Sequence, residues 1–309
     1  MKKKNPIRRK IRTLYADVRV WMRYGTLTPD FIRLPACDYL LRVDPHEQRA
    51  RNLLIRDVVR GKIPQATKIW RSFARHINPT LVIDVGVNYG ECILGSVYSP
   101  GCALFGFEAN PTIFKLIEQS VLNHPNCQQF SMHNVIVSET SGPAQTFFVN
   151  PEWSGTSSAV KSVAAIEHQV QVGSLDKILP AEACSGARCL FKIDIEGYEG
   201  KALRGFHQAL EKMDSALGVI EFDTQRLAAA GDDPVALLAE LSERFEIYCI
   251  TSKQRNVLRE VRSLEDLPMS SNSSRMGRRH VDLVLIKNGG DRQLLVPPHF
   301  TFAPSTSSL

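Results

Sequence analysis

Two apolar, β-branched runs that end in turn-forming residues constrain this chain more than anything else in it. Leu81-Val82-Ile83-Asp84-Val85 leads directly into Gly86-Val87-Asn88-Tyr89-Gly90. Leu190-Phe191-Lys192-Ile193-Asp194-Ile195 leads into Glu196-Gly197-Tyr198-Glu199. Runs of this kind suit strands buried on both faces, as in a parallel sheet covered by helices. A strand that becomes glycine-rich or acidic at its C-terminal end, ahead of a helix, is where open α/β sheets place their chemistry.

The rest of the chain continues the alternation. Residues 45–77 read as two helices, broken near Gly61 and Pro64, that cap one edge of the sheet. Glu91–Tyr98 reads as the helix after the first strand, and Ala103–Phe107 as the second strand. Asn110 caps a helix with Pro111 at its first position and Ile113, Phe114, Ile117 and Val121 on one face. Gln128–Met132, Leu190–Ile195 and Leu217–Phe222 supply three more strands, and Thr146–Val149 an extra one beside an insertion at 150–172. Helices are expected from about Glu199 to Lys212 and from Pro234 onward. Glu246–Thr251 and Val281–Ile286 are late strands with no apolar helix between them, which predicts an antiparallel edge hairpin. The polar stretch 252–280 reads as a flap or an unstructured linker. The predicted fold is α/β, a doubly wound, Rossmann-like, mostly parallel sheet preceded by N-terminal helices. It divides into a basic segment (1–23), a helical extension (24–78), the sheet domain (79–290) and a C-terminal coil (291–309).

Charge is unevenly placed. Residues 1–23 hold nine Lys or Arg against Asp17 alone, a net +8, while the whole chain is +6. Residues 24–309 therefore sum to −2, and the body lacks the basic stripe of a nucleic-acid-binding protein. Ile7, Ile11, Leu14, Val18 and Trp21 recur at helical spacing among the cations. This is a basic amphipathic helix, which either lies on an anionic membrane surface or docks on its own domain. The first residues do not form a secretory signal. Seven scattered cysteines, with no C-x-x-C, suit reduced thiols in a cytoplasmic chain rather than a disulfide framework.

The chemistry-bearing residues cluster at strand ends. Gly86 and Gly90 let backbone approach a ligand closely. A dinucleotide fingerprint would want glycine where Asn88 stands, which disfavours a nicotinamide oxidoreductase. Glu108, about twenty residues after the glycine turn, can accept from both hydroxyls of a ribose. Asp194 ends the strand beside the glycine turn. An adenosine for Glu108, an amino-acid tail for the Gly86–Gly90 turn and a positive charge near Asp194 together suit S-adenosylmethionine.

At these residues the sequence resembles the FkbM-type S-adenosylmethionine-dependent methyltransferases. Lys192-Ile193-Asp194-Ile195-Glu196-Gly197-Tyr198-Glu199, followed by Leu203-Arg204-Gly205, is similar to the family's signature block. Ile83–Gly90, Phe107-Glu108-Ala109-Asn110-Pro111, Asn134 to Glu139, Ser174-Leu175-Asp176 and Glu221-Phe222 follow in order. The resemblance covers about residues 80–290 and departs at Val87, more often Ala, and at the polar stretch 252–280. It implies a class I methyltransferase sheet. It also implies a cofactor pocket lined by Asp84, Gly86, Asn88, Gly90 and Glu108, with Asn134 and Val135 near the adenine. Asp194 would stand near the reacting methyl.

Methylation of a hydroxyl needs a proton acceptor, for which Asp194, Glu196 and His168 are candidates. Glu199 reads equally well as an acid favoured by its helix dipole. Asp194, Glu196, Glu221 and Asp223 could form an oxygen site for Mg²⁺, but solvated strand-end carboxylates with no metal are the preferred reading. The resemblance implies a small-molecule or glycan hydroxyl as acceptor, with peripheral membrane contact through residues 1–23 as an open alternative. The competing readings are a non-catalytic cofactor-binding or membrane-surface module and an NAD(P)-dependent enzyme. A DNA adenine methyltransferase is disfavoured, because Asn110-Pro111-Thr112 is not an Asn/Asp-Pro-Pro-aromatic clamp.

Overall fold

Leu81–Val85 forms strand β1, with all five residues buried, as a central parallel strand requires. The computed structural model describes residues 6–34, 39–60, 65–159, 165–250, 256–269 and 278–305. The main sheet continues with β2 (Ala103–Phe107), β3 (Phe130–His133), β4 (Arg188–Ile193), β5 (Ser215–Asp223), β6 (Phe245–Ile250), β7 (Val257–Glu260), β8 (His280–Lys287) and β9 (Thr301–Ala303). Their spatial order is β9-β7-β6-β8-β5-β4-β1-β2-β3. Strands β1 to β5 are mutually parallel, and β8 runs antiparallel to both β5 and β6. The order reverses between β1 and β4, which places a crevice at their C-terminal ends. This is the doubly wound, mostly parallel sheet the sequence predicts, with the antiparallel pair at the expected end.

The N-terminal extension covers a face of this sheet rather than capping an edge. Its helices are α1 (Pro6–Tyr24), α2 (Gln48–Ile55) and α3 (Gln65–Ile77), with a π-turn at Arg56–Arg60. Ile69, Trp70, Phe73 and Ile77 of α3 share one core with Val82, Leu190, Leu217, Val284 and Ile286 of the strands. α4 (Pro111–Val121) adds Ile113, Ile117 and Val121 to that core. It starts where Asn110 accepts from Thr112 N and Ile113 N ahead of Pro111. On the opposite face, Leu81, Ile83, Phe191 and Ile193 pack with α5 (Glu199–Arg204), α6 (His207–Glu211), α7 (Thr224–Ala229) and α8 (Pro234–Arg244).

Several expected elements come out differently. The helix expected at 91–98 is a single 3-10 turn, Ile93–Gly95. Residues 91–96 are all buried, so no polar face is left for a helix to turn to water. α3 fills the layer instead, and its Trp70 Nε1 donates to Tyr98 Oη at 2.9 Å. The helix expected from 199 to 212 breaks at Gly205, where a Cβ would lie 2.2 Å from the Ser138 carbonyl oxygen. The extra strand at 146–149 belongs to a separate three-stranded sheet of Ile136–Val137, Ile166–Gly173 and Gly142–Val149. Part of the polar stretch 252–280 is ordered as β7, while 251–255 and 270–277 lie outside the described residues.

The described part of the tail, 291–305, is not all coil. α9 (Arg292–Leu295) is followed by β9, which pairs parallel with β7. Leu295, Val296 and Phe300 enter the core shared with α3, where Phe73 and Phe300 have ring centroids 5.4 Å apart. The six cysteines among the described residues are free, and Cys37 lies outside them. Phe300→Ala should lower unfolding free energy by about 3 kcal/mol, the usual cost of emptying a buried aromatic site. Chemical denaturation followed by circular dichroism measures this, and an unpacked tail would give no change.

Candidate active site

A buried ammonium forms the floor of the crevice. Lys192 of β4 pairs in register with Asp84 of β1. Its Nζ lies 3.5 Å from Asp84 Oδ1, 3.2 Å from Asp194 Oδ2 and 3.3 Å from the Gly86 carbonyl oxygen. Burial opposes the charge on Lys192, but Asp194 and Asp84 outweigh it and hold the ammonium above its ordinary range. Burial pushes the Asp84 carboxyl up to about 6 despite Lys192. Burial also acts against an ionised Asp194, yet Lys192 and Arg49 prevail and hold that carboxyl below its usual range.

The turn after β1 depends on glycine at position 86. Gly86 has φ +79°, and a Cβ there would stand 2.0 Å from the Asp194 carbonyl oxygen. Asn88, at φ +50°, donates its backbone N–H to Glu108 Oε2 at 2.8 Å. The other Glu108 oxygen accepts from Asn110 N at 2.8 Å, so one buried carboxylate joins the turns after β1 and β2. Burial pushes the Glu108 carboxyl up.

Two cavities meet here. Gly86, Asn88, Glu108, Val135, Asp194 and Glu196 line an inner one together with Phe147, Ser154 and Ser157. Asp84 lines an outer cavity of about 530 Å³ with Arg56, Trp153, Lys192, His280 and Asp282. Arg49, Gly86 and Asp194 border both. Gly90 and Asn134 line neither. Asn134 fastens the loop instead, donating to the carbonyls of Glu108 and Ala109 at 2.8 and 3.1 Å.

The acids after β4 have separate partners. Glu196, at φ +62°, contacts the Arg226 guanidinium, which also binds Glu221 Oε2 at 3.0 Å. One oxygen each from Asp194, Glu196 and Glu221 lies within 4.8 Å of the others, a spacing that could hold a hard cation. Two of these three acids already have the Arg226 guanidinium between them. Glu199 does more than favour its helix. Its carboxylate folds back to accept from Ile195 N at 2.8 Å and from Gly197 N at 3.0 Å. Burial pushes this carboxyl up to about 8. His168 is on the small sheet at Ile166–Gly173 and lines neither cavity.

Sequence reasoning missed Arg49, Arg226, His280 and Asp282, all distant in the chain from the motifs they join. Lys192 stood within the signature block, but its role is visible only once Asp84 is known to lie across from it. Glu47 gave no signal either. Its buried carboxylate caps α2 through Arg49 N and Ala50 N, both at 2.9 Å. It also accepts from Ser154 N at 2.8 Å and Tyr89 Oη at 3.0 Å.

Lys192→Met leaves Asp84 buried without its cation and should cost about 3 kcal/mol of unfolding free energy, measured by urea denaturation at pH 7. For Glu199, the folded carboxyl binds its proton more tightly than the unfolded one, so its ionisation destabilises the fold as pH rises. Stability should fall as pH rises from about 4.5 to about 8. The slope should flatten in Glu199→Gln, as measured by denaturation midpoints across that range.

The sequence matches the methyltransferase FkbM domain over residues 84–245, more than half of the chain. No curated protein matches it. Among solved structures, the methyltransferase FkbM from Methylobacillus flagellatus KT is similar at 13% identity and a TM-score of 0.38. That similarity covers 67% of this chain and 44% of the other, so this chain spans less than half of that relative's length. An O-methyltransferase from Bacillus cereus in complex with SAH is similar at 9% identity and a TM-score of 0.39, over 72% of this chain and 80% of that one. TomG from Streptomyces achromogenes, an O-methyltransferase involved in tomaymycin synthesis and in complex with SAM, gives 12% identity and a TM-score of 0.37. It covers 72% of this chain and 79% of its own. With a family match that begins at Asp84 and runs through the Lys192–Glu199 block, this chain belongs to the methyltransferase FkbM family.

Proposed function

We propose that this chain is an S-adenosylmethionine-dependent O-methyltransferase that holds its cofactor in the inner cavity and its acceptor in the outer one. The observation that carries this reading is the shared border of the two cavities at Arg49, Gly86 and Asp194. A methyl group placed there faces both. Glu108 suits the ribose, Val135 and Phe107 the adenine, and the Gly86–Asn88 turn the amino-acid tail. Arg49 Nε is buried with no hydrogen-bond partner, and its guanidinium suits the cofactor carboxylate. The inner cavity, about 60 Å³, is below the roughly 300–1,000 Å³ of a ligand pocket. Cofactor binding there therefore requires the cavity to widen.

Transfer is an in-line displacement in which the sulfonium becomes a neutral thioether. The protein's work is alignment, exclusion of water and removal of the acceptor's proton. Ionised Asp194 suits attraction of the cofactor's positive charge, but its low pKa makes it a weak base. Asp282 lines the outer cavity, and burial with nearby Asp194 pushes its carboxyl up, which suits a proton acceptor. Glu196 is held by Arg226 and is the poorer base. Asn52, Gln65 and Thr67, with the Trp153 ring, give the outer cavity a hydrogen-bonding wall suited to a sugar, glycan or related hydroxyl-rich acceptor. Arg226 already binds both Glu196 and Glu221, which favours turnover without a metal.

Methyl-labelled cofactor, incubated with sugar and glycolipid acceptors, should yield S-adenosylhomocysteine and labelled product. Binding without turnover across such acceptors would favour a non-catalytic module. Asp194→Asn should raise the cofactor Kd at least about tenfold and lower kcat. Asp282→Asn should lower kcat about a hundredfold with the cofactor Kd unchanged, within the usual range for loss of a general base. Excess EDTA should leave the rate unchanged, and a rate restored only by Mg²⁺ would assign the acid cluster to a metal.

A further inference from the structure

From Thr13 onward, helix α1 is fastened to the body along one side and bare along the other. Ala16 and Val20 are 4% and 0% exposed. Arg19 Nε donates to the Val58 carbonyl at 3.1 Å, Arg23 Nε lies 3.2 Å from Asp57, and Asp17 pairs with Arg51. Leu14, Tyr15, Val18, Trp21 and Met22 are 66%, 53%, 47%, 59% and 70% exposed. At roughly 100° per residue these five occupy an arc of about 120°, opposite Ala16 and Val20. The sequence spacing that begins at Ile7 and Ile11 thus continues into a stripe that the fold leaves in water.

Single exposed apolar residues are ordinary, but a contiguous stripe of five large ones marks an interaction surface. Charge identifies its partner. Residues 1–23 carry +8 while residues 24–309 carry −2, so the positive charge is concentrated on the segment that bears the stripe. Two copies joined through this face would bring two such segments together and repel. Among the described residues, no helix is long and apolar enough to cross a membrane. An amphipathic, cationic helix with Trp on its apolar face matches helices that lie in the plane of a bilayer interface.

We propose that α1 is an in-plane anchor that seats this protein on an anionic lipid surface. The anchor is rigidly joined to the body, because Arg19, Arg23 and Asp17 hold its other side to the π-turn and to α2. α2 contacts α1, and its Arg49, Asn52 and Leu53 line the outer cavity, so that cavity lies one helix away from the lipid. The inference is independent of the reaction catalysed.

The test is co-sedimentation of the full chain with vesicles of phosphatidylcholine alone and of phosphatidylcholine mixed with phosphatidylglycerol. Partition should be at least about tenfold stronger onto the anionic vesicles and should weaken as salt is raised. A triple variant, Leu14→Ser with Val18→Ser and Trp21→Ser, should lose binding while keeping its thermal midpoint, since all three side chains are exposed. A readout in the intact chain is the emission of Trp21, taken as the difference between wild type and Trp21→Phe, which should shift to the blue on adding anionic vesicles. Absence of vesicle binding, equal binding to neutral vesicles, an unshifted Trp21, or a dimer that the triple variant abolishes would each overturn the proposal.

Discussion

An ammonium buried in the middle of a sheet sets the geometry of this molecule. An unpaired charge at such depth costs several kcal/mol, so Lys192 requires acceptors around it. Asp84 lies across from it on β1, Asp194 follows it on its own strand, and the Gly86 carbonyl provides a third contact. These contacts hold the ends of β1 and β4 level and bring the Asp194 carbonyl so near Gly86 that no side chain fits there. The crevice follows from this close approach, because β1 and β4 flank the point where the strand order reverses.

A second buried charge joins the rest of the chain to that crevice. Glu47 accepts from two N–H groups of α2, from the Ser154 N–H and from the Tyr89 hydroxyl. It therefore ties the N-terminal extension to the glycine turn and to the insertion at once. Hydrogen bonds to a buried carboxylate are charge-assisted and among the stronger kind. The extension thus helps to line the outer cavity, to which it delivers Arg49, Asn52 and Arg56. That cavity takes Arg49, Arg56 and Gln65 from before the family's matched residues and His280 and Asp282 from after them. Family membership therefore covers the lining of the inner cavity more fully than that of the outer one.

What the sequence made legible was local. Buried strands read as apolar runs, and the α4 and α8 starts read from Asn110-Pro111 and Asp233-Pro234, because each signal is complete within a few residues. The helix expected at 91–98 failed because its surroundings, not its pattern, decide that residues 91–96 are all buried. The break at Gly205 depends on Ser138, and β9 depends on pairing with β7, both far away in the chain. The site divides in the same way. Gly86, Asn88, Glu108, Val135 and Asp194, all named from the motifs, line the inner cavity. Asn134, also named from the motifs, lines neither cavity, and its side chain spends its donors on the loop backbone. Arg49, Arg226 and Asp282 join the motifs only through the fold, so nothing in the neighbouring sequence pointed to them.

The resulting set of carboxylates is held in different electrostatic states over a short span. Asp194 is kept ionised by Lys192 and Arg49. Asp84, sharing the same lysine but fully enclosed, is pushed up to about 6. Glu221 is also pushed up by burial and by Asp194, while Arg226 and His280 bind it from two sides. Separated pKa values among neighbouring acids are how one site divides binding from proton transfer. Here the division follows depth and cation placement rather than residue type. Two cations, Lys192 and Arg49, keep Asp194 ionised at the cavities' shared border. An acid in that position can attract a cationic methyl donor without itself having to take a proton.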